Sequence, residues 1–160
     1  MGASRMPLNA SAPIVPVPGD SIEIGVCGAH MTGLPLNGEL KALGGTYART
    51  VKTAGDYRLY ALAGPKPDRP GLVRSPGKGA PIEIEVWRLP VAAVGSLLTA
   101  IPAPLGLGTI ALADGTSVKG FICEASAVAD ARDITHHGGW RSYLAEAGDG
   151  GETELAAIAD

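Results

Sequence analysis

Residues 21–37 read SIEIGVCGAHMTGLPLN, and this stretch decides how the chain begins to fold. Apolar residues occupy every second position from Ile22 to Val26, which is the period of a half-buried β-strand. Gly28 and Gly33 then bracket a turn, and a short helix is predicted after it. The stretch therefore predicts a strand, a glycine-rich loop and a helix in immediate succession.

The loop carries His30, whose imidazole donates, accepts or titrates near neutral pH. A strand-loop-helix junction exposes backbone N–H groups, here those of Gly28 and Ala29, and such groups form a site for an anion. His30 has two interpretations at this point: it serves a ligand, or it satisfies backbone groups inside the glycine loop. The residues alone leave both open.

The composition predicts one β-rich domain with an aliphatic core. A chain of 160 residues is long enough to bury a substantial core. With 23 Gly and 13 Pro against one Phe, two Trp and four Tyr, the chain must turn often and pack mainly aliphatic side chains. The net charge of -3 predicts no binding to nucleic acid or to an anionic membrane surface.

The two ends of the chain are predicted to be loosely held. Residues 1–20 form a flexible segment rich in Pro, Ala and Ser, residues 148–160 an acidic tail, and residues 21–147 the domain. Prolines interrupt any signal peptide in the first segment, and no stretch approaches the roughly 18 apolar residues of a membrane span. Cys27 and Cys123 are predicted to be reduced and packed, in a cytoplasmic protein.

Periodicity and turn residues predict further short elements. These elements predict an α+β fold, a small β-barrel-like mixed sheet with flanking short helices. In chain order they are a helix over 35–43, a hairpin of strands 46–53 and 57–62, an irregular excursion over 64–80, a strand over 82–87, a helix over about 90–100, a loop over 101–108, a hairpin of strands 109–112 and 117–124, a helical turn over 125–131 and a closing helix over 140–147.

Several short motifs occur in a fixed order over about residues 22–146. They are GAHM (28–31), PLN (35–37), GTY (45–47), YRLYAL (57–62), KPDRPGLVR (66–74), EVWRLP (85–90), IPAPLGLG (101–108), DG (114–115), VKGF (118–121), CE (123–124), DIT (133–135) and GWR (139–141). Together they resemble the C-terminal domain of allophanate hydrolase. Agreement of several unconnected motifs is more specific than any one of them.

The resemblance implies a γ-glutamylcyclotransferase-like fold and a place in urea breakdown through allophanate. In that family a separate amidase domain with a Ser-Ser-Lys group deaminates allophanate, and the C-terminal domain promotes decarboxylation of the N-carboxycarbamate product. This chain carries no amidase signature, so deamination by it alone is not expected. Residues 101–108, where the cyclotransferases would place an acidic catalytic residue, contain no carboxylate, which argues against glutamyl cyclisation.

Decarboxylation of an N-carboxylate is assisted by protonating the leaving nitrogen, so the reaction needs a positioned acid. His30 is the candidate catalytic residue. A dianionic ligand also needs a cation and hydrogen-bond donors, and Arg74 is chosen as the cation because it lies in the irregular excursion. The candidate substrate-binding residues are Gly28, Ala29, Asn37, Tyr47 and Arg74. Other cations available by type are Arg49, Arg58, Lys66, Arg88 and Arg141.

No cofactor and no metal are predicted. His136 and His137 lack further ligands at the usual spacing and are interpreted as part of a solvated loop. Two functions remain: a domain that binds a small dicarboxylate such as N-carboxycarbamate and promotes its decarboxylation, or a noncatalytic module that partners a separate amidase subunit or forms a homodimer. An enzyme requires His30 and a cation to face one cavity, whereas a docking module does not.

Overall fold

The structure is a computed structural model that describes residues 20–148. The flexible segment predicted for residues 1–20 and the tail predicted for 148–160 lie almost wholly outside the described residues and stay predictions. The strands are β1 (Ser21–Val26), β2 (Thr46–Lys52), β3 (Tyr57–Ala61), β4 (Pro70–Arg74), β5 (Glu83–Pro90), β6 (Leu105–Ala111), β7 (Ser117–Cys123) and β8 (Arg132–Asp133). The helices are α1 (Asn37–Ala42), α2 (Val94–Ala100) and α3 (residues 140–148), with 3-10 turns at Val91–Ala93, Ala125–Val128 and Thr135–His137.

The strands of the described chain form two sheets. The larger has the order β2-β5-β1-β7-β6 and the smaller the order β4-β3-β8. Within the larger sheet β1 is antiparallel to β5 and parallel to β7, so the sheet is mixed, as predicted. The two sheets meet where β4 lies against β7: a Cβ built on Gly71 would lie 2.8 Å from Sγ of Cys123. This contact brings the start of β4 close to the end of β1.

The core is aliphatic, as the composition predicted. β1 and β5 are inner strands of the larger sheet, and most of their apolar side chains are buried. The two tryptophans are also buried and fill the core. Fully buried aliphatic residues are Ile24, Val26, Leu40, Leu59, Leu72, Ile82, Ile84, Val86, Leu89, Leu97, Ile110 and Ile134.

The hairpin predicted for residues 46–62 is wrong in its pairing, although both strands exist. β2 pairs with β5, with Val51 opposite Ile84, and β3 pairs with β4 in the other sheet, with Leu59 opposite Leu72. The turn between them instead carries the chain from one sheet to the other. Its Ala54 N–H donates to the carbonyl of Ala111 at 2.9 Å, which anchors the crossing.

The irregular excursion and the loop over 101–108 are shorter than predicted. Residues 70–74 form β4, because Pro70 starts the strand, where a missing N–H is tolerated, and Leu72 reaches the core. Residues 105–108 belong to β6, which extends the predicted hairpin back to a pair between Leu105 and Cys123. The proline content of both segments hid these strands, since β4 begins at Pro70 and β6 begins directly after Pro104.

The α+β class with short flanking helices is confirmed, and the larger sheet is not closed into a barrel. Its edge strands β2 and β6 approach each other at one end, where Thr53 and Leu112 form an isolated bridge. The ladder does not continue beyond that bridge. In the part of the chain that the structure describes, no helix is long and apolar enough to cross a membrane.

Candidate functional site

The loop between β1 and α1 holds His30 through its own backbone. Two backbone hydrogen bonds shape the loop: the Met31 N–H donates to the Gly28 carbonyl at 2.9 Å in a turn, and the Leu36 N–H donates to the Ala29 carbonyl at 2.8 Å and closes the loop. From the start of α1, the buried side chain of Asn37 donates through Nδ2 to the His30 carbonyl at 2.9 Å. These hydrogen bonds therefore fix the position of the His30 backbone independently of any contact that its imidazole makes.

The imidazole of His30 lies at the edge of the core, and its side chain is only 13% exposed. The ring stacks on Phe121 with 4.7 Å between centroids, and Nε2 lies 3.6 Å from Oε1 of Glu39. Burial lowers the pKa of His30 most strongly, the Glu39 carboxylate raises it, and the charge of Arg69 lowers it, so the net pKa is below its ordinary value. This direction favours the neutral imidazole.

His30 opens onto a narrow cleft made of adjoining pockets of about 20, 50 and 90 Å³. Arg69 and Leu105 contribute to the wall of all three, and His30 and Phe121 to two of them. The remaining wall is mainly apolar. A space of this size fits a ligand of a few heavy atoms and excludes a large one.

Arg69 is the cation of this cleft, and sequence reasoning missed it. Among residues 20–148 no carboxylate pairs with its guanidinium, so the charge is available to an anion. Each of the six cations that the sequence offered already has a carboxylate partner. The pairs are Arg49 and Arg88 with Glu23, Arg58 with Asp133, Lys66 with Asp68, Arg74 with Asp56, and Arg141 with Glu85.

Gly28 allows Arg69 to approach the histidine loop. A Cβ at Gly28 would lie 2.3 Å from Cδ of Pro70, closer than any side chain tolerates. Because Arg69 directly precedes Pro70, the absence of a side chain at position 28 lets the start of β4 press against the loop. The only sequence signal for this arginine was its place in the quoted motif KPDRPGLVR (66–74), and that signal was not used to select it.

The structure brings some of the predicted site residues together and separates others. Gly28 and Ala29 line the cleft beside His30, whereas Asn37 supports the His30 backbone from behind. Tyr47 lies in a different groove, with its hydroxyl 2.8 Å from Oγ1 of Thr50. The fifth candidate, Arg74, donates through Nε to Asp56 at 2.9 Å and is not in the wall of the His30 cleft.

Among the described residues, the thiols and the other histidines form no second reactive or metal-binding site. Cys27 lines the cleft, but burial raises the pKa of its thiol to about 12, so it is not a nucleophile. His137 does not lie in a solvated loop as predicted: its buried ring packs on Tyr143, with Nδ1 3.3 Å from Glu146. In residues 20–148 no group of three or more His, Cys, Asp or Glu side chains is placed to hold a metal.

A second cavity lies on the other side of the histidine loop, and we call it the β2–β5 groove. It is wide and open, with a volume of about 740 Å³. Tyr47, which is 49% exposed, forms part of it and meets Trp87 edge to face at 6.0 Å. The groove is lined by Thr32, Lys41, Gly45, Thr46, Tyr47, Thr50, Glu85, Trp87 and Arg141.

An imidazole and an unpaired guanidinium in one small cleft define a candidate small-anion site on a two-sheet α+β domain. A solved γ-glutamyl cyclotransferase shares this fold, with a TM-score of 0.50 at 11% identity over 71% of this chain and 70% of that one. Residues 22–145 match the family model described as the allophanate hydrolase C-terminal domain. The chain belongs to this family.

Two relatives place the domain in larger proteins. The chain is 41% identical to urea amidolyase of Saccharomyces cerevisiae over 131 residues, which are 79% of this chain and 7% of that protein. The solved allophanate hydrolase of Kluyveromyces lactis matches with a TM-score of 0.77 at 37% identity, over 79% of this chain and 21% of that one. The chain therefore spans a small part of the length of both relatives.

Proposed function

We propose that this domain acts in urea breakdown by binding a small dicarboxylate, such as N-carboxycarbamate, in the His30–Arg69 cleft and promoting its decarboxylation. The observation that carries the proposal is that His30 and an unpaired cation face the same cavity. The family names of the relatives support the substrate class. With its two buried free thiols, we place the protein in the cytoplasm.

In this proposal Arg69 and His30 divide the chemistry. The guanidinium of Arg69 holds one carboxylate of the dianion, and the incoming negative charge raises the pKa of His30 so that the ring takes up a proton. The bond between nitrogen and the second carboxylate then breaks, and its electron pair stays on nitrogen. His30 delivers its proton to that nitrogen, which releases carbon dioxide and carbamate.

Malonate, a stable mimic of the dianion, is expected to bind one per chain and more tightly as the pH falls from 8 to 6. The pKa of His30 is lowered in the free protein and a bound dianion raises it, so we expect binding to be accompanied by proton uptake. Calorimetric titration in buffers of different ionisation enthalpy measures that uptake directly.

Acetate is the matched control for malonate. It carries one carboxylate instead of two, so it needs only one of the two cationic groups, Arg69 and protonated His30. Malonate binding without proton uptake would show that His30 is not the group that responds to the ligand. Absence of malonate binding at every pH would contradict the proposed function.

Replacing Arg69 by alanine is expected to weaken malonate binding by about tenfold to a hundredfold, the usual effect of losing charge-assisted hydrogen bonds. Arg74→Ala is the matched control: it removes the arginine that sequence reasoning selected, which is already paired with Asp56. Its affinity for malonate should equal that of the parent. If Arg74→Ala loses binding and Arg69→Ala keeps it, the cleft described above is not the site.

A noncatalytic role remains the second candidate, because the β2–β5 groove exposes Tyr47 beside an open cavity of about 740 Å³. In this role the groove would receive a separate amidase subunit or a second copy of the chain, since half-exposed aromatic side chains are typical of protein interfaces. A parent protein that fails to bind malonate would favour this function over the enzymatic one.

A further inference from the structure

The histidine loop is fastened from its far side by a single carboxylate. Oε1 of Glu85, on β5, accepts from the Thr32 N–H at 2.8 Å and from the Thr32 hydroxyl at 2.9 Å. The Trp87 indole donates to the same oxygen at 3.0 Å. Thr32 follows His30 by two residues, so these bonds act on the loop that carries the histidine.

Arg141, on α3, completes the arrangement. One of its terminal nitrogens, Nη2, donates to the Thr32 carbonyl at 2.7 Å and to Oε2 of Glu85 at 3.1 Å. The Glu85 side chain is only 8% exposed, yet both its oxygens have partners. Burial raises the pKa of Glu85, but the hydrogen bonds from Trp87, Thr32 and Arg141 together lower it by more. The net pKa is below its ordinary value, so the carboxylate stays ionised. A buried charge satisfied in this way holds its neighbours rigidly.

We infer that Glu85 is a positioning residue for His30: its carboxylate fixes Thr32 on the groove side of the loop and thereby aims the imidazole into the cleft on the opposite side. Glu85 lines the β2–β5 groove and is absent from the wall of the His30 cleft, so it acts through the loop. The importance of this positioning role for activity rests on the proposed function of the His30–Arg69 cleft.

The geometry requires a carboxylate and not an amide at position 85. In Glu85→Gln the amide oxygen can replace only one of the two acceptors. If it takes the place of Oε1, the amide NH₂ faces the Arg141 donor and pushes Arg141 away from the Thr32 carbonyl. If it takes the other place, the Thr32 N–H loses its acceptor. Each orientation therefore removes one of the bonds that hold Thr32, while the side chain keeps its size.

The test follows the His30 ring by NMR in the free protein and malonate affinity by calorimetry, in the parent, Glu85→Gln and a control. The control is Glu23→Gln on β1, the strand next to β5. This change breaks the ion pair between Glu23 and Arg49 of β2, away from the histidine loop. Glu85→Gln is expected to raise the pKa of His30 toward its ordinary value and to weaken malonate by about tenfold. Glu23→Gln should change neither quantity.

The direction of the pKa shift separates positioning from simple electrostatics. Removing the negative charge of Glu85 favours the neutral imidazole and so lowers the pKa of His30. Releasing the histidine loop exposes the ring to water and so raises the pKa of His30. Glu39 and Arg69, the charged groups that face His30, are unchanged in the variant. A lowered or unchanged pKa in folded Glu85→Gln would overturn the inference.

Substitutions at Thr32 keep the inference testable if Glu85→Gln does not fold. Thr32→Val removes the hydroxyl bond and should raise the pKa of His30 by a smaller step, and Thr32→Ser should restore the parent value. Parent-like behaviour of both variants would overturn the inference. If the parent itself does not bind malonate, the proposed function fails, while the His30 shift still decides whether Glu85 positions the loop.

Discussion

Replacing His30 by alanine is expected to abolish malonate binding while leaving the domain folded. In the proposed function the ring is the group that gains a proton when the dianion binds, and its loss removes one charge-assisted hydrogen bond. For a ligand this small we expect affinity near the millimolar range, so a loss of about 2 kcal/mol takes binding beyond calorimetric detection. The backbone of the loop keeps its turns and its bond from Asn37, which do not involve the imidazole.

The matched control for this variant is His136→Ala. His136 is an exposed histidine outside the cleft, so its removal changes the histidine content without touching the site. Circular dichroism confirms that both variants fold. The same two variants also test catalysis. An amidase that deaminates allophanate generates N-carboxycarbamate in the assay, and the rate of carbon dioxide release is measured after the parent or each variant is added. Equal acceleration by parent and His30→Ala would show that the histidine has no part in decarboxylation.

Gly120→Ala is expected to lower the free energy of unfolding by about 2–3 kcal/mol, the range for forcing extra atoms into a packed interior. Gly25 and Gly120 face each other where β1 runs parallel to β7. A Cβ at Gly120 would lie 2.6 Å from the Gly25 carbonyl oxygen and 2.5 Å from Cδ1 of Ile110. The backbone oxygen cannot rotate away, so the two strands must separate.

Gly106→Ala on β6 is the control, because a Cβ there meets nothing within 4 Å and its backbone angle is ordinary. Its unfolding free energy should lie within about 0.5 kcal/mol of the parent. Urea unfolding of the three proteins, compared at a common slope, measures both differences. Equal midpoints for Gly120→Ala and the parent would show that β1 and β7 are not packed as closely as described.

Local patterns predicted those elements whose signals lie within a few residues. β1 follows from its alternating apolar residues, and the β6–β7 hairpin follows from Asp114-Gly115, whose turn preference is independent of the rest of the chain. The alternation in β5 does not separate a buried face from an exposed one. Glu85 and Trp87 are buried, because the histidine loop and α3 cover the face that would otherwise meet solvent.

Strand pairing was harder to predict than strand position. A turn at residues 54–56 suggested that β2 returns on β3, yet β2 prefers the long apolar strand β5 and leaves β3 to the other sheet. The choice depends on which strands the whole chain places side by side, and short-range sequence signals carry no information about that.

The sequence by itself determined the α+β class, the glycine-rich loop with His30, the aliphatic core and the family, because these depend on residue type and short spacing. Only the tertiary structure decided which cation faces His30. Six basic residues were equal candidates by type, and all six meet carboxylates from distant or neighbouring parts of the chain. Arg69 reaches the histidine loop because Gly28 lets the start of β4 approach it, and charge pairing acts between neighbours in space, which local sequence does not reveal.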